Sequence, residues 1–251
     1  PTVKGLDVVK MFRNSTQYYA IFTDSHGNFL KNKNVQFNIN GVFYTKTTND
    51  KGIAMMGINL NPGKYVITVI NLVTGEQSSN IITVKSLIVQ KDVTKYYLNA
   101  SRFEATIYNK DGSLAVNKEV TFNINGVFYH RTTDSNGVAS LGISLRPGEY
   151  IITTMFDGLA IGNKVSVLPT LVTKNLNMKY LDGSGFTAQT LDGQGKPLAN
   201  QNVSFNVNGV FYYKVTDNNG MAKLNIRLMP GEYIITSCWN NFQTGNTIRI
   251  F

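Results

Sequence analysis

Apolar and polar positions alternate along most of this chain. In "EVTFNI", Val120, Phe122 and Ile124 fall on one face, and in "RFEATIYN" Phe103, Ala105 and Ile107 do the same. A period of two predicts half-buried strands. Through the middle of the chain the predicted strands are "LIVQ", "RFEATIYN", "EVTFNI", "VFYHRTT", "VASLGISL", "EYIITTMF" and "KVSVL". Between them stand the turn signals "KDG", "DSNG" and "RPG" and the pair Asn125-Gly126. Asn-Gly tolerates the positive φ angles of a type I′ hairpin turn. Short strands with turn signals at intervals of about 8–12 residues predict an antiparallel β-sandwich.

The pattern occurs three times. "FNINGVFY" spans Phe37 to Tyr44 and Phe122 to Tyr129, and "FNVNGVFY" spans Phe205 to Tyr212. Pro-Gly recurs at Pro62, Pro147 and Pro230, and a turn glycine at Gly52, Gly137 and Gly220. A period this long suits a small domain better than a solenoid coil. The expected units are residues 1–86, 87–169 and 170–251. The junctions "ITVKSLIVQ" and "VSVLPTLVTK" contain no glycine, whereas flexible linkers are rich in Gly and Ser. The prediction is all-β: three tandem Ig-like sandwiches in an elongated, monomeric rod, roughly 100 Å long.

Composition changes this picture only at the margins. Of 251 residues, 42% are hydrophobic, and no apolar run reaches the ~20 residues of a membrane span. No initiator methionine or signal-peptide pattern is present, so the chain is expected to be an excerpt with any export signal or anchor outside it. Net charge is +9. Basic and acidic residues number nine and four in the first unit, eight and seven in the second, seven and four in the third. Such unevenness argues against a charge function shared by every copy, and the net charge is read as serving solubility, or attraction toward anionic wall polymers or cell surfaces. The basic residues are scattered, which argues against nucleic acid as a partner. The single cysteine, Cys238, cannot form an internal disulfide or a thiolate metal site, and its strand "IITSCWN" predicts a buried, inert thiol.

Candidate chemistry centres on the repeated hairpin. A two-residue turn places Ile39 opposite Val42, Asn38 opposite Phe43 and Phe37 opposite Tyr44. Cross-strand partners share a face, so Phe37, Ile39, Val42 and Tyr44 are expected in the core. Phe43, Phe128 and Phe211 then point outward, as a ligand platform or as aromatics covered by a neighbouring loop or unit. The asparagines Asn80, Asn163 and Asn246 are expected to bond to backbone at a strand end. A Lys–Asn crosslink shared by all units is disfavoured: Lys10 and Lys95 correspond to Met178, Lys46 and Lys214 to Arg131, and no acid recurs, since Glu149 and Glu232 match Lys64. The turns "NDKG", "DSNG" and "DNNG" hold one acid each, too few for calcium. His26 and His130 occupy different repeat positions, and no phosphate loop appears. No catalytic, cofactor-binding or metal-binding residue is therefore predicted, and no enzyme. Asn14, Asn99 and Asn202 open N-glycosylation triplets; the third copy carries Asp182 where the first two have Asn14 and Asn99.

The order "VxFNxNGVFY", then "TDxNGxA", then "LxPGEYIIT" resembles the bacterial-type Ig-like (Big) repeats of surface adhesins, and is most similar to tandem repeats of adhesin-like proteins from methanogenic archaea. The resemblance runs through all three units. It implies a secreted, wall-associated or anchored stalk at the cell surface, in contact with other cells or with surface glycans or proteins. The alternative is an array of carbohydrate-binding modules attached to a wall-active or polysaccharide-degrading enzyme. A shared exposed aromatic patch with adjacent amides would favour that alternative, and buried aromatics the stalk.

Overall fold

A computed structural model describes residues 1–251 as strands and turns, with no helix. The first unit runs β1 (Val3–Gly5), β2 (Val8–Met11), β3 (Gln17–Phe22), β4 (Asn34–Ile39), β5 (Val42–Thr47), β6 (Ile53–Gly57), β7 (Gly63–Ile70) and β8 (Gln77–Lys85). The second runs β9 (Ile88–Val89), β10 (Val93–Tyr96), β11 (Arg102–Ile107), β12 (Glu119–Ile124), β13 (Val127–Thr132), β14 (Val138–Gly142), β15 (Gly148–Phe156) and β16 (Leu159–Leu168). The third runs β17 (Leu171–Thr173), β18 (Leu176–Met178), β19 (Gly185–Thr190), β20 (Asn202–Val207), β21 (Val210–Val215), β22 (Met221–Asn225), β23 (Gly231–Trp239) and β24 (Phe242–Ile250).

Each unit is a sandwich of two unequal sheets. In the first, β1-β3-β6 forms the small sheet and β2-β8-β7-β4-β5 the large one, and the other two units repeat this order. The chain passes between sheets at β1–β2, β2–β3, β3–β4, β5–β6 and β6–β7, the crossed connectivity of Ig-like sandwiches. One strand per unit escapes the alternation pattern. It is β10 in the second unit, where Val93 pairs in parallel with Val165 and Tyr96 with Leu168. The reason is local: its inward position is Lys95, which breaks the apolar pattern although it is buried.

Inward residues of the two sheets meet in an edge-to-face aromatic pair in every unit, and in the first unit Phe22 also stacks on Phe37 at 6.3 Å. Tyr18 and Phe37 lie edge to face at 5.8 Å, Phe103 and Phe122 at 6.0 Å, Phe186 and Phe205 at 5.8 Å, the arrangement that ring quadrupoles favour. The turn prediction holds in all copies: φ is 53° and 77° at Asn40-Gly41, 52° and 77° at Asn125-Gly126, and 54° and 79° at Asn208-Gly209.

The units are joined by matched contacts. The side-chain amide of Asn14 donates to the Lys110 carbonyl oxygen at 2.9 Å, and that of Asn99 to the Gly193 carbonyl oxygen at 2.7 Å. Around the first junction, Arg13 and Lys110 each lie 3.5 Å from Asp157. Around the second, the rings of Tyr97 and Phe242 are 5.9 Å apart, and a Cβ on Gly195 would sit 2.3 Å from the Tyr96 ring. The accessible surface is 14045 Å². A compact globule of this mass would expose about 11,000 Å², so the excess reflects units arranged lengthwise. No helix is long and apolar enough to cross a membrane.

Candidate functional site

The large sheet has one face on the core and one on solvent, and the repeated hairpin supplies an edge of the solvent face. Burial of Val35, Phe37 and Ile39 turns Asn38 outward. Asn38 pairs with Phe43 on one side and Thr68 on the other, so an aromatic ring, an amide and a hydroxyl form a row across three strands. The row continues to Ser79, whose hydroxyl is 2.9 Å from that of Thr68. Equivalent rows are Phe128–Asn123–Thr153 and Phe211–Asn206–Thr236. At the spacing of neighbouring strands each row spans about 10 Å.

No loop or neighbouring unit covers the aromatic end. Phe43, Phe128 and Phe211 are 58%, 59% and 60% exposed. In the first and third units the amide oxygen of the row's Asn accepts a bond from the turn glycine's N–H, Asn38 from Gly41 and Asn206 from Gly209, both at 3.3 Å. That bond fixes the amide plane and leaves its NH2 group directed away from the turn. Beside the rows stand the exposed apolar residues Val66, Ile151 and Ile234. The far ends diverge. Glu149 meets Lys164 at 3.0 Å and accepts from Ser166, which holds its carboxyl below the usual range, and Glu232 pairs with Arg249, whereas the first unit has Lys64. The recurrent part is an aromatic ring, an amide and a hydroxyl: a set suited to a flat polar ligand with one apolar face.

Several expectations change. The hairpin register is as predicted, but Val42 and Tyr44 are 50% and 43% exposed, not core residues. They face inward, yet β5 overhangs the narrower small sheet, so nothing closes over them. Asn80, Asn163 and Asn246 do not bond to backbone through their amides. They donate to the side chains of Asp7, Asp92 and Asn175, which also accept the next backbone N–H. Cys238 lies on the outward face of β23 and is only half-buried.

The sequence-predicted glycosylation positions fall in two settings. Asn14 and Asn99 hold the unit junctions through the very nitrogen that a glycan would occupy, and Asp182 in the third unit accepts from the N–H groups of Lys179 and Ser184 instead. Asn202 is exposed on β20. The three acid-bearing turns use their oxygen on backbone: Asp134 Oδ1 accepts from Asn136 and Val138, Asp217 Oδ1 from Asn219 and Met221, and in the first unit Asn49 Oδ1 does the same for Lys51 and Ile53. An uncharged amide serves equally there, so the position requires an acceptor and not a charge. Lys10 Nζ donates to the Ile58 carbonyl at 2.7 Å, and Lys95 Nζ to those of Ile143 and Ser101.

No protein-family model matches the chain, and no curated protein matches it. Solved structures that it resembles include the I9–I11 tandem of titin, at 15% identity over 99% of this chain and 98% of that one, with a TM-score of 0.36. A Ca2+-stabilised adhesin with which an Antarctic bacterium binds ice is similar at 16% identity over 100% and 74%, TM-score 0.28. Invasin, a bacterial integrin-binding protein, is similar at 17% identity over 100% of this chain and 60% of its own, TM-score 0.31. Scores this low carry no functional argument. The chain is a tandem of Ig-like sandwiches by its own strand order.

Proposed function

We propose that this chain is a non-catalytic stalk of a cell-surface adhesin-like protein, a monomeric rod whose three units present a repeated contact row to glycans or proteins of other cells or surfaces. The units, taken as residues 1–86, 87–169 and 170–251, act as autonomous modules. The observation that carries the reading is the recurrence of the uncovered Phe–Asn–Thr row in one register, with an exposed Val or Ile beside it, while the far end of the outer face diverges. Aromatic faces stack on the apolar side of a sugar ring while amide and hydroxyl groups bond its edge. Three weak sites on one rod add through effective concentration. The same row suits the second reading, a carbohydrate-binding array attached to a polysaccharide-active enzyme. The proposed test is a glycan array and a whole-cell binding assay with the full chain and with Phe43→Ala, Phe128→Ala and Phe211→Ala combined. Retention on cells that is lost in the triple variant, without retention on soluble wall polysaccharide, favours the stalk; retention on the polysaccharide favours the array. Unchanged binding in the triple variant would remove the row from the proposal.

A further inference from the structure

We infer that the open edge between β5 and β6, and its counterparts β13/β14 and β21/β22, is a cleft that binds an extended peptide carrying apolar side chains and an acidic residue. The cleft lies on the inward side of the hairpin, away from the Phe–Asn–Thr row, and does not depend on it.

The cleft exists because the two sheets differ in width. β6 is the edge of the small sheet, and β5 the edge of the large one. With no further strand beyond β6, the inward side chains of β5 overhang empty space. A cavity of about 340 Å³ results, between Val42, Tyr44 and Lys46 on one wall and Met56, Ile58 and Leu60 on the other. The second unit has a cavity of about 360 Å³ with Val127, Tyr129 and Arg131 facing Leu141, Ile143 and Leu145, and the third one of about 310 Å³ with Val210 and Tyr212 facing Leu224, Ile226 and Leu228. Recurrence at one place in three diverged copies sets these cavities apart from accidental surface dents.

Three features define the occupant. In an antiparallel pair, alternate residues direct their N–H and C=O groups away from the partner strand. On an edge strand such groups accept another strand. Along β6 they are open at Met55 and Gly57, because the N–H and C=O of Ile53 are already bonded to Asn49 of its own turn. β14 and β22 repeat this at Val138 and Met221, with Arg102 also donating to the Ser140 carbonyl. An added strand would bring every second side chain over the apolar wall, the geometry of strand addition to a sheet edge. Each cavity also carries a cation and no carboxylate: Lys46 in the first, Arg131 in the second, Arg227 in the third. A second copy of this edge would set cation against cation, which disfavours self-pairing. An acidic extended peptide is complementary in hydrogen bonding, polarity and charge.

The test titrates the isotope-labelled full chain with a pool of octapeptides in which Val, Ile, Tyr or Phe alternates with Glu or Thr, and follows backbone amides by NMR. Shifts should concentrate in Ile53–Gly57, Val138–Gly142 and Met221–Asn225. N-methylation of alternate peptide amides should weaken binding by about tenfold or more, since several edge hydrogen bonds are removed together. A pool with Lys in place of Glu should bind less well, and Arg131→Glu, at a half-buried position of the cleft wall, should reverse that preference in the second unit alone. The inference is overturned if millimolar peptide gives no shifts, if shifts fall on the outer face instead, or if N-methylation has no effect.

Discussion

The side-chain amide of Asn99 donates to the backbone carbonyl of Gly193 across the second junction, and Asn14 does the same toward Lys110 across the first. One hydrogen-bond donor at the tip of each of the first two units thus joins the Arg13–Asp157 ion pair at the first junction and the Tyr97–Phe242 contact at the second in setting the angle between units. In the third copy the position is Asp182, whose carboxylate has no donor to offer a carbonyl. Asn99→Asp therefore leaves its own turn intact, because an acceptor still meets the Ser101 N–H, but opposes the Gly193 oxygen. Residual dipolar couplings of the second and third units should report looser relative orientation in this variant, with little change in melting temperature. Enzymatic attachment of a glycan to Asn99 should loosen the junction in the same way.

The two faces of the hairpin separate stability from contact. Phe122 is fully buried against Phe103, and Phe122→Ala should destabilise by about 3–5 kcal/mol. Tyr129 faces the open cleft, so Tyr129→Ala should lose about 1–2 kcal/mol. Phe128→Ala should stay within about 0.5 kcal/mol. Asn125→Val forces a β-branched residue to positive φ and should lose about 1–2 kcal/mol. Urea denaturation of all four checks the order.

Asp92 and Lys95 make opposite contributions with pH. The Asn163 amide and the Lys164 N–H hold the Asp92 carboxyl below its ordinary pKa. The unfolded chain therefore takes up this proton first as pH falls. The contribution is complete above the ordinary aspartate value of about 3.9 and disappears as pH drops through the depressed one. Asp92→Asn, the residue type of the third unit at Asn175, should flatten the acid limb of a stability–pH curve. Burial pushes the Lys95 pKa down. Its penalty is complete below the folded pKa and relieved as pH climbs toward the ordinary lysine value, so stability should rise with alkaline pH. Lys95→Met, matching Met178, should be tolerated and abolish that rise.

Gly5 and Tyr18 form a matched pair. A Cβ on Gly5 would lie 2.0 Å from the Tyr18 hydroxyl, which donates to Asn80 at 2.8 Å and, being buried, has its pKa pushed up to about 12. The other copies pair Gln90 with Phe103 and Thr173 with Phe186. Gly5→Gln alone should destabilise the first unit, and Tyr18→Phe should recover part of the loss. A double-mutant cycle should give a coupling of about 1–3 kcal/mol; additivity would show that the two positions are independent.

The local pattern of the chain lays down the strands, the type I′ turns, the threefold repeat and the face on which Phe43, Phe128 and Phe211 stand. All follow from a period of two and from turn residues, which act over a few neighbouring positions. It did not reveal β10, because a buried lysine interrupts the alternation where Lys95 finds the Ser101 carbonyl nearby and that of Ile143 far along the chain. Nor did it show that Val42 and Tyr44 stay half exposed. Alternation assigns a side chain to a face, but the width of the opposing sheet decides whether that face is covered. The Phe–Asn–Thr rows and the junction bonds of Asn14 and Asn99 arose likewise from strand order and from the stacking of units. They join residues brought together only by tertiary structure, so no local pattern in the chain carries them.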